Sequence, residues 1–127
     1  MKKITKTMLH IYKPISGLDW MNYRIVKKDM TAHHIKKRED GGLLIIPNVA
    51  PLMNTSHEYL HIIEYKEKLI YKALNDMFRI INQQGHEPTQ EERFVIEYLL
   101  QEFEQLHKED INSKGKKLIK AKYLERW

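Results

Sequence analysis

Cysteine is absent from the 127 residues, so no disulfide can staple the fold and no thiolate can bind metal. Any ion must therefore be held by His, Asp, Glu or Asn. No apolar run approaches the roughly 18 residues needed to span a bilayer, which argues against a membrane protein. The charged start, Met1 to Lys6, is followed by no apolar stretch of the signal-peptide kind. No secretory signal is expected on that ground, and the cytoplasm is the expected location. Internal repeats and low-complexity tracts are missing as well.

What is present suits one small domain spanning 1–127. Hydrophobic residues make up 42% of the chain, enough for a modest core that three or four helices could bury. The net charge of +5 is unevenly distributed. Residues 1–38 carry ten Lys/Arg against two acids, residues 39–111 six against fourteen, and residues 112–127 six against one. Two basic ends thus flank an acidic middle. Clustered positive charge suits a polyanion, because each neutralised phosphate releases counterions; a merely solvated surface is the plain alternative.

Residues 1–17 read as irregular or extended up to Pro14 and Ser16-Gly17, and a short helix is expected over about Leu18–Lys28. Thr31–Ile35 reads as a strand, followed by a charged run and a Gly41-Gly42 turn suited to positive φ. Leu43–Ile46 is apolar and ends at Pro47, and a second strand is expected at about Val49–Met53. Asn54, Thr55 or Ser56 can cap the next helix, expected to run to about Gln83 with Leu60, Ile63, Ile70, Leu74, Met77 and Ile81 on one face. Gly85 ends it. Thr89 to Glu92 is a T-x-x-E capping box, opening a helix whose inner stripe is Ile96, Leu99, Leu100, Phe103 and Leu106. The basic tail, about 112–127, has room for one helical turn near Leu118–Leu124.

Within this framework His33, His34, Asn48, His57 and His61 stand out. Neighbouring residues on a strand point to opposite faces, so one of His33 and His34 can face a metal while the other faces a substrate. His57 and His61 are i and i+4, on one face of a helix, where two imidazoles can share an ion.

This stretch closely resembles the HNH (ββα-metal) nuclease family. The matching residues are Ala32-His33-His34-Ile35, Asp40-Gly41-Gly42, Asn48, Leu52-Met53 and His57-x-x-x-His61, over about 31–65. The spacings are fourteen residues from His34 to Asn48, nine to His57 and four to His61. The variant looks most like those with three histidine ligands, as in the bacteriocin DNases, and like small stand-alone HNH proteins of phages and mobile elements. The resemblance implies an α+β, mostly α fold with a two-stranded ribbon and helix embedded among further helices. It also implies an endonuclease acting on DNA, most naturally double-stranded, with one divalent ion (Mg, Mn, Ni or Zn). His34 would be the general base and Asn48 its orienting partner, with His33, His57 and His61 as ligands. The alternative for His61 is to support a ligating residue from behind without touching the ion. Lys36, Lys37 and Arg38 beside the base would meet phosphate, or else form a solvated turn.

Two rivals use the same residues. His57-Glu58-Tyr59-Leu60-His61 fits H-E-x-x-H, the zinc-protease helix in which Glu58 is the base. That pattern leaves His33, His34 and Asn48 unused. The other rival is an HNH-like module that binds nucleic acid or protein without cutting. His10, His86 and His107 lie outside the cluster and carry no role, and Trp20, Tyr23, Tyr59 and Tyr65 read as packing residues.

Overall fold

The computed structural model describes residues 2–108. The basic tail and its expected helical turn lie outside the described residues. The architecture is α+β and mostly helical: helices α1 (Lys3–Tyr12), α2 (Asn54–Lys66), α3 (Lys68–Gln84) and α4 (Gln90–Leu106), with strands β1 (Met30–His34) and β2 (Val49–Met53). The strands pair antiparallel, with Met30 opposite Met53 and His34 opposite Val49. Among the described residues no helix is long and apolar enough to cross a membrane.

The ribbon forms where expected. Pro51 sits opposite Ala32 within it, tolerable because a strand in a two-stranded ribbon has a free edge that needs no ladder donor. The β1–β2 loop is closed by its glycines in two different ways. Gly41 takes φ +88° to end a 3₁₀ turn over Arg38–Asp40, whereas Gly42 has ordinary backbone angles and is needed for room. A Cβ on Gly42 would stand 1.8 Å from the Lys36 carbonyl oxygen.

Three expected elements differ. Residues 3–12 are helical rather than irregular, because Thr5, Met8 and Tyr12 recur at helical spacing and bury one face. Tyr12 also donates its hydroxyl to the Asn82 carbonyl at 2.5 Å. Residues 18–28 form no α-helix, and helical turns appear there only as a 3₁₀ turn at Lys27–Asp29. Asp19 Oδ1 accepts from the Met21 and Tyr23 amides, both at 2.9 Å, and Asn22 adopts φ +66°. Side-chain bonds to nearby amides thus replace the helical ladder. Buried Arg93 of α4 pins this turn by donating to the Asp19 carbonyl at 2.7 Å and to Asn22 Oδ1 at 3.1 Å.

The single long helix expected to Gln83 is two helices broken at Glu67, whose φ −142° and ψ 82° are not helical. No Gly or Pro marks the break. Folding back there lets α3 cover the ribbon with Ile70, Leu74, Phe78 and Ile81 buried. α2 is not capped by Asn54, Thr55 or Ser56; Asp19, from the distant turn, instead accepts from the Met53 amide and the Ser56 hydroxyl beside the helix start. The Thr89/Glu92 capping box forms as expected, and Ile96, Leu100 and Phe103 are buried while Leu106 is exposed. Trp20, Tyr23 and Tyr59 pack in the core, whereas Tyr65 lies on the surface.

Candidate metal and phosphate cleft

A cleft of about 590 Å³ opens where β1, the β1–β2 loop, α2 and α3 meet, lined by His33, His34, Lys37, Arg38, Glu39, His57, His61, Glu64 and Tyr71. All four histidines singled out from the sequence face it. Lys37 and Arg38 line its rim, while the exposed Lys36 does not.

His34 ends β1 opposite Val49 and is half-buried. Asn48 lies at the other end of the loop, and its side chain straps the loop shut. Its Oδ1 accepts from the Lys36 amide at 2.8 Å, and its Nδ2 donates to the carbonyls of Lys36 (3.0 Å) and Leu43 (2.9 Å). The Ile35 amide adds a bond to the Asn48 carbonyl at 2.9 Å. Asn48 thus fixes the backbone at Lys36, two residues beyond His34, and does not touch the His34 side chain directly in any of these bonds.

His33 is buried, with Nε2 2.9 Å from Asn75 Oδ1. His57 places Nδ1 2.9 Å from Thr31 Oγ1, and His61 Nδ1 lies 3.4 Å from Glu64 Oε1. The His33 and His57 rings meet edge to face at 5.4 Å, and those of His57 and His61 stack at 4.9 Å. Stacked rings lie parallel instead of converging. Accordingly, among the described residues no group of three His, Asp or Glu side chains is drawn together as a ready-made metal centre. By chemistry the donors do fit a borderline divalent ion, since imidazole suits Mn²⁺, Ni²⁺ and Zn²⁺ better than it suits Mg²⁺.

Burial pushes the His33 imidazole down to about 4, against a smaller upward pull from Asn75. Burial and then His61 also lower His57. Both rings are thus held neutral, the form that can ligate. Burial raises Glu64, but hydrogen bonds from Lys37 and His61 outweigh it and hold the carboxyl below its usual range. Lys37 is ion-paired with Glu64 across the cleft and lies 5.8 Å from the centre of the Tyr71 ring.

A stability consequence follows for the metal-free chain. An unfolded His titrates near 6.5, so between pH 6.5 and about 4 the unfolded chain binds a proton that folded His33 refuses. Stability is therefore full above pH 6.5 and falls as the pH drops through that window. The loss is about 3 kcal/mol from His33, and His57 adds in the same direction. Urea unfolding of chelator-treated protein at pH 7.5, 5.5 and 4.5 reads this directly. A flat profile, or one unchanged in a folded His33→Gln protein, would refute it.

Glu64, Tyr71, Asn75 and Thr31 were not singled out from the sequence. Two of them carried a signal: Glu64 follows His57 and His61 at i+7 and i+3 on one helical face, and Thr31 shares the strand face of His33 at i+2. Asn75 and Tyr71 carried none, since Tyr71 reaches the cleft and Asn75 reaches His33 only because the chain turns at Glu67. Glu58, the base of the protease pattern, is exposed on α2 and is not among the cleft residues.

Against known protein families, characterised proteins and solved structures, the chain finds no match.

Proposed function

We propose that this protein is a metal-dependent endonuclease of the HNH type, hydrolysing DNA phosphodiester bonds in the cleft between ribbon, α2 and α3. The observation that carries the reading is the meeting of His33, His34, His57 and His61 in one cleft, over a strand-strand-helix unit whose loop Asn48 ties shut. The order and spacing of these residues are those of the family that the sequence resembles, and DNA as the substrate rests on that resemblance, while the basic residues 1–38 suit a polyanion of any kind.

In this reading His34 accepts a proton from the attacking water. An imidazole titrates close to working pH, so the ring can both take the proton and release it afterwards. Asn48 holds the backbone at Lys36 and so fixes where β1 ends and His34 projects. Lys37 and Arg38 on the rim meet the phosphate, with Lys37 exchanging its partner Glu64 for the incoming anion. His33, His57 and His61 would hold the divalent ion, which would supply positive charge against the scissile phosphate and the departing 3′ oxygen.

Incubating supercoiled plasmid with the purified protein tests the reading. Cleavage is expected with Mn²⁺, Ni²⁺ or Mg²⁺ and none in EDTA. Undiminished cleavage in EDTA, or none with any divalent ion including Zn²⁺, would overturn it.

A further inference from the structure

The hydrogen bonds around the histidines determine which nitrogen of each ring carries its proton. Asn75 Nδ2 donates to the Ile35 carbonyl at 2.5 Å. A carbonyl can only accept, so this bond sets the orientation of the amide and leaves Oδ1 facing His33 Nε2 at 2.9 Å. Oδ1 can only accept too. The proton of His33 is therefore on Nε2, and Nδ1 keeps the lone pair.

The same reasoning applies to His57. Thr31 stands opposite Leu52 in the ribbon and gives its one hydroxyl hydrogen to the Leu52 carbonyl at 2.8 Å. With that hydrogen spent, Thr31 Oγ1 can only accept from His57 Nδ1, 2.9 Å away. The lone pair of His57 is therefore on Nε2.

We infer that Asn75 and Thr31 are positioning residues of the histidine cluster, holding His33 as its Nε2–H tautomer and His57 as its Nδ1–H tautomer, so that His33 Nδ1 and His57 Nε2 are the lone pairs offered to a divalent cation. The cation's part in this rests on the endonuclease reading; the tautomers do not. Asn75 lies on α3, outside the strand-strand-helix unit, so donor presentation depends on how α3 packs against β1. Ligating imidazoles are commonly oriented by such outer hydrogen bonds, whose loss weakens metal affinity about 10- to 100-fold.

Long-range proton–nitrogen correlation spectra of the isotope-labelled, metal-free full chain at about pH 8, where an ordinary imidazole is neutral, read the tautomers. His33 is expected protonated at Nε2 and His57 at Nδ1, and the opposite tautomer at either ring overturns the inference. Calorimetric titration with Ni²⁺ reads the consequence. Thr31→Val and Asn75→Leu should each weaken binding by about tenfold or more, while Thr31→Ser, which keeps the hydroxyl, should bind as the parent does. Thr31 is only half-buried, so its variants carry the test should Asn75→Leu fail to fold. Unchanged Ni²⁺ affinity in folded Thr31→Val overturns the positioning role. If the parent chain itself binds no Ni²⁺, the cation role falls together with the endonuclease reading, whereas a wrong tautomer with intact Ni²⁺ binding defeats this inference alone.

Discussion

His34→Ala is expected to lower DNA cleavage by about 10² to 10⁴-fold, the usual contribution of a positioned general base, while leaving the fold and metal binding in place. The fold should survive because His34 is at the end of β1, half-buried, and outside the apolar core. Metal binding should survive because the tautomer-fixing bonds belong to His33 and His57. Glu58→Gln should cost little by comparison. Glu58 is exposed on the second turn of α2 and is not among the cleft residues. A carboxylate near a helix N-terminus gains only about 0.3–1 kcal/mol from the dipole. An H-E-x-x-H protease predicts the reverse pattern, with Glu58→Gln inactive and His34→Ala nearly silent. Plasmid and casein assays on both purified variants, with circular dichroism as a folding check, separate the two. Retained plasmid cleavage by a folded His34→Ala protein would remove His34 from the chemistry and with it the central claim.

The parts of this molecule that were legible in the sequence are those set by local chemistry. Both strands, the Gly41-Gly42 closure and the Thr89/Glu92 capping box involve residues close together in the chain, and each formed where the pattern placed it. The histidines were legible because i, i+4 spacing and strand adjacency already say which side chains share a face. What was hidden depends on long-range partners. Asp19 and Asn22 sit in a stretch with helical composition, but Asp19 captures local amides and Arg93, 74 residues away from it, anchors the turn. The break at Glu67 is marked by no Gly or Pro, and what α3 contributes, Tyr71 lining the cleft and Asn75 bonded to His33, follows from it. The helix at residues 3–12 was missed for a different reason. Its buried face includes a threonine and a tyrosine, so a search for purely aliphatic periodicity passes over it.

Asp19→Ala is expected to destabilise the protein by about 3 kcal/mol or more, although Asp19 lies far from the cleft in sequence and touches none of its lining. The carboxylate is buried, and its Oδ2 accepts from the Met53 amide at 2.8 Å and the Ser56 hydroxyl at 2.5 Å. Met53 is the residue from which α2 springs, and α2 has no side-chain cap of its own. Asp19 thus ties the start of α2 to a distant turn and places a carboxylate beside its N-terminus, where the dipole favours negative charge. Its Oδ1 meanwhile holds the turn at Met21 and Tyr23. Truncation would leave four donors, three of them backbone amides, without this acceptor in a buried setting. Each buried orphan costs about 1–3 kcal/mol. Burial outweighs these bonds on the ionised form and holds the Asp19 carboxyl above its usual range, although Ser56 and the Met53, Tyr23 and Met21 amides pull it down. The sum of bonds is therefore an upper bound, and about 3 kcal/mol is the smaller figure that survives this offset. Asp19→Asn keeps the shape and one acceptor oxygen, so it should lose less than Asp19→Ala. Because His57 sits on the first turn of α2, the Ala variant should also bind Ni²⁺ more weakly even under conditions where it remains folded. Urea denaturation of the three proteins at pH 7 measures the order. A loss below 1 kcal/mol for Asp19→Ala would show that α2 starts, and the histidines are placed, without this tie.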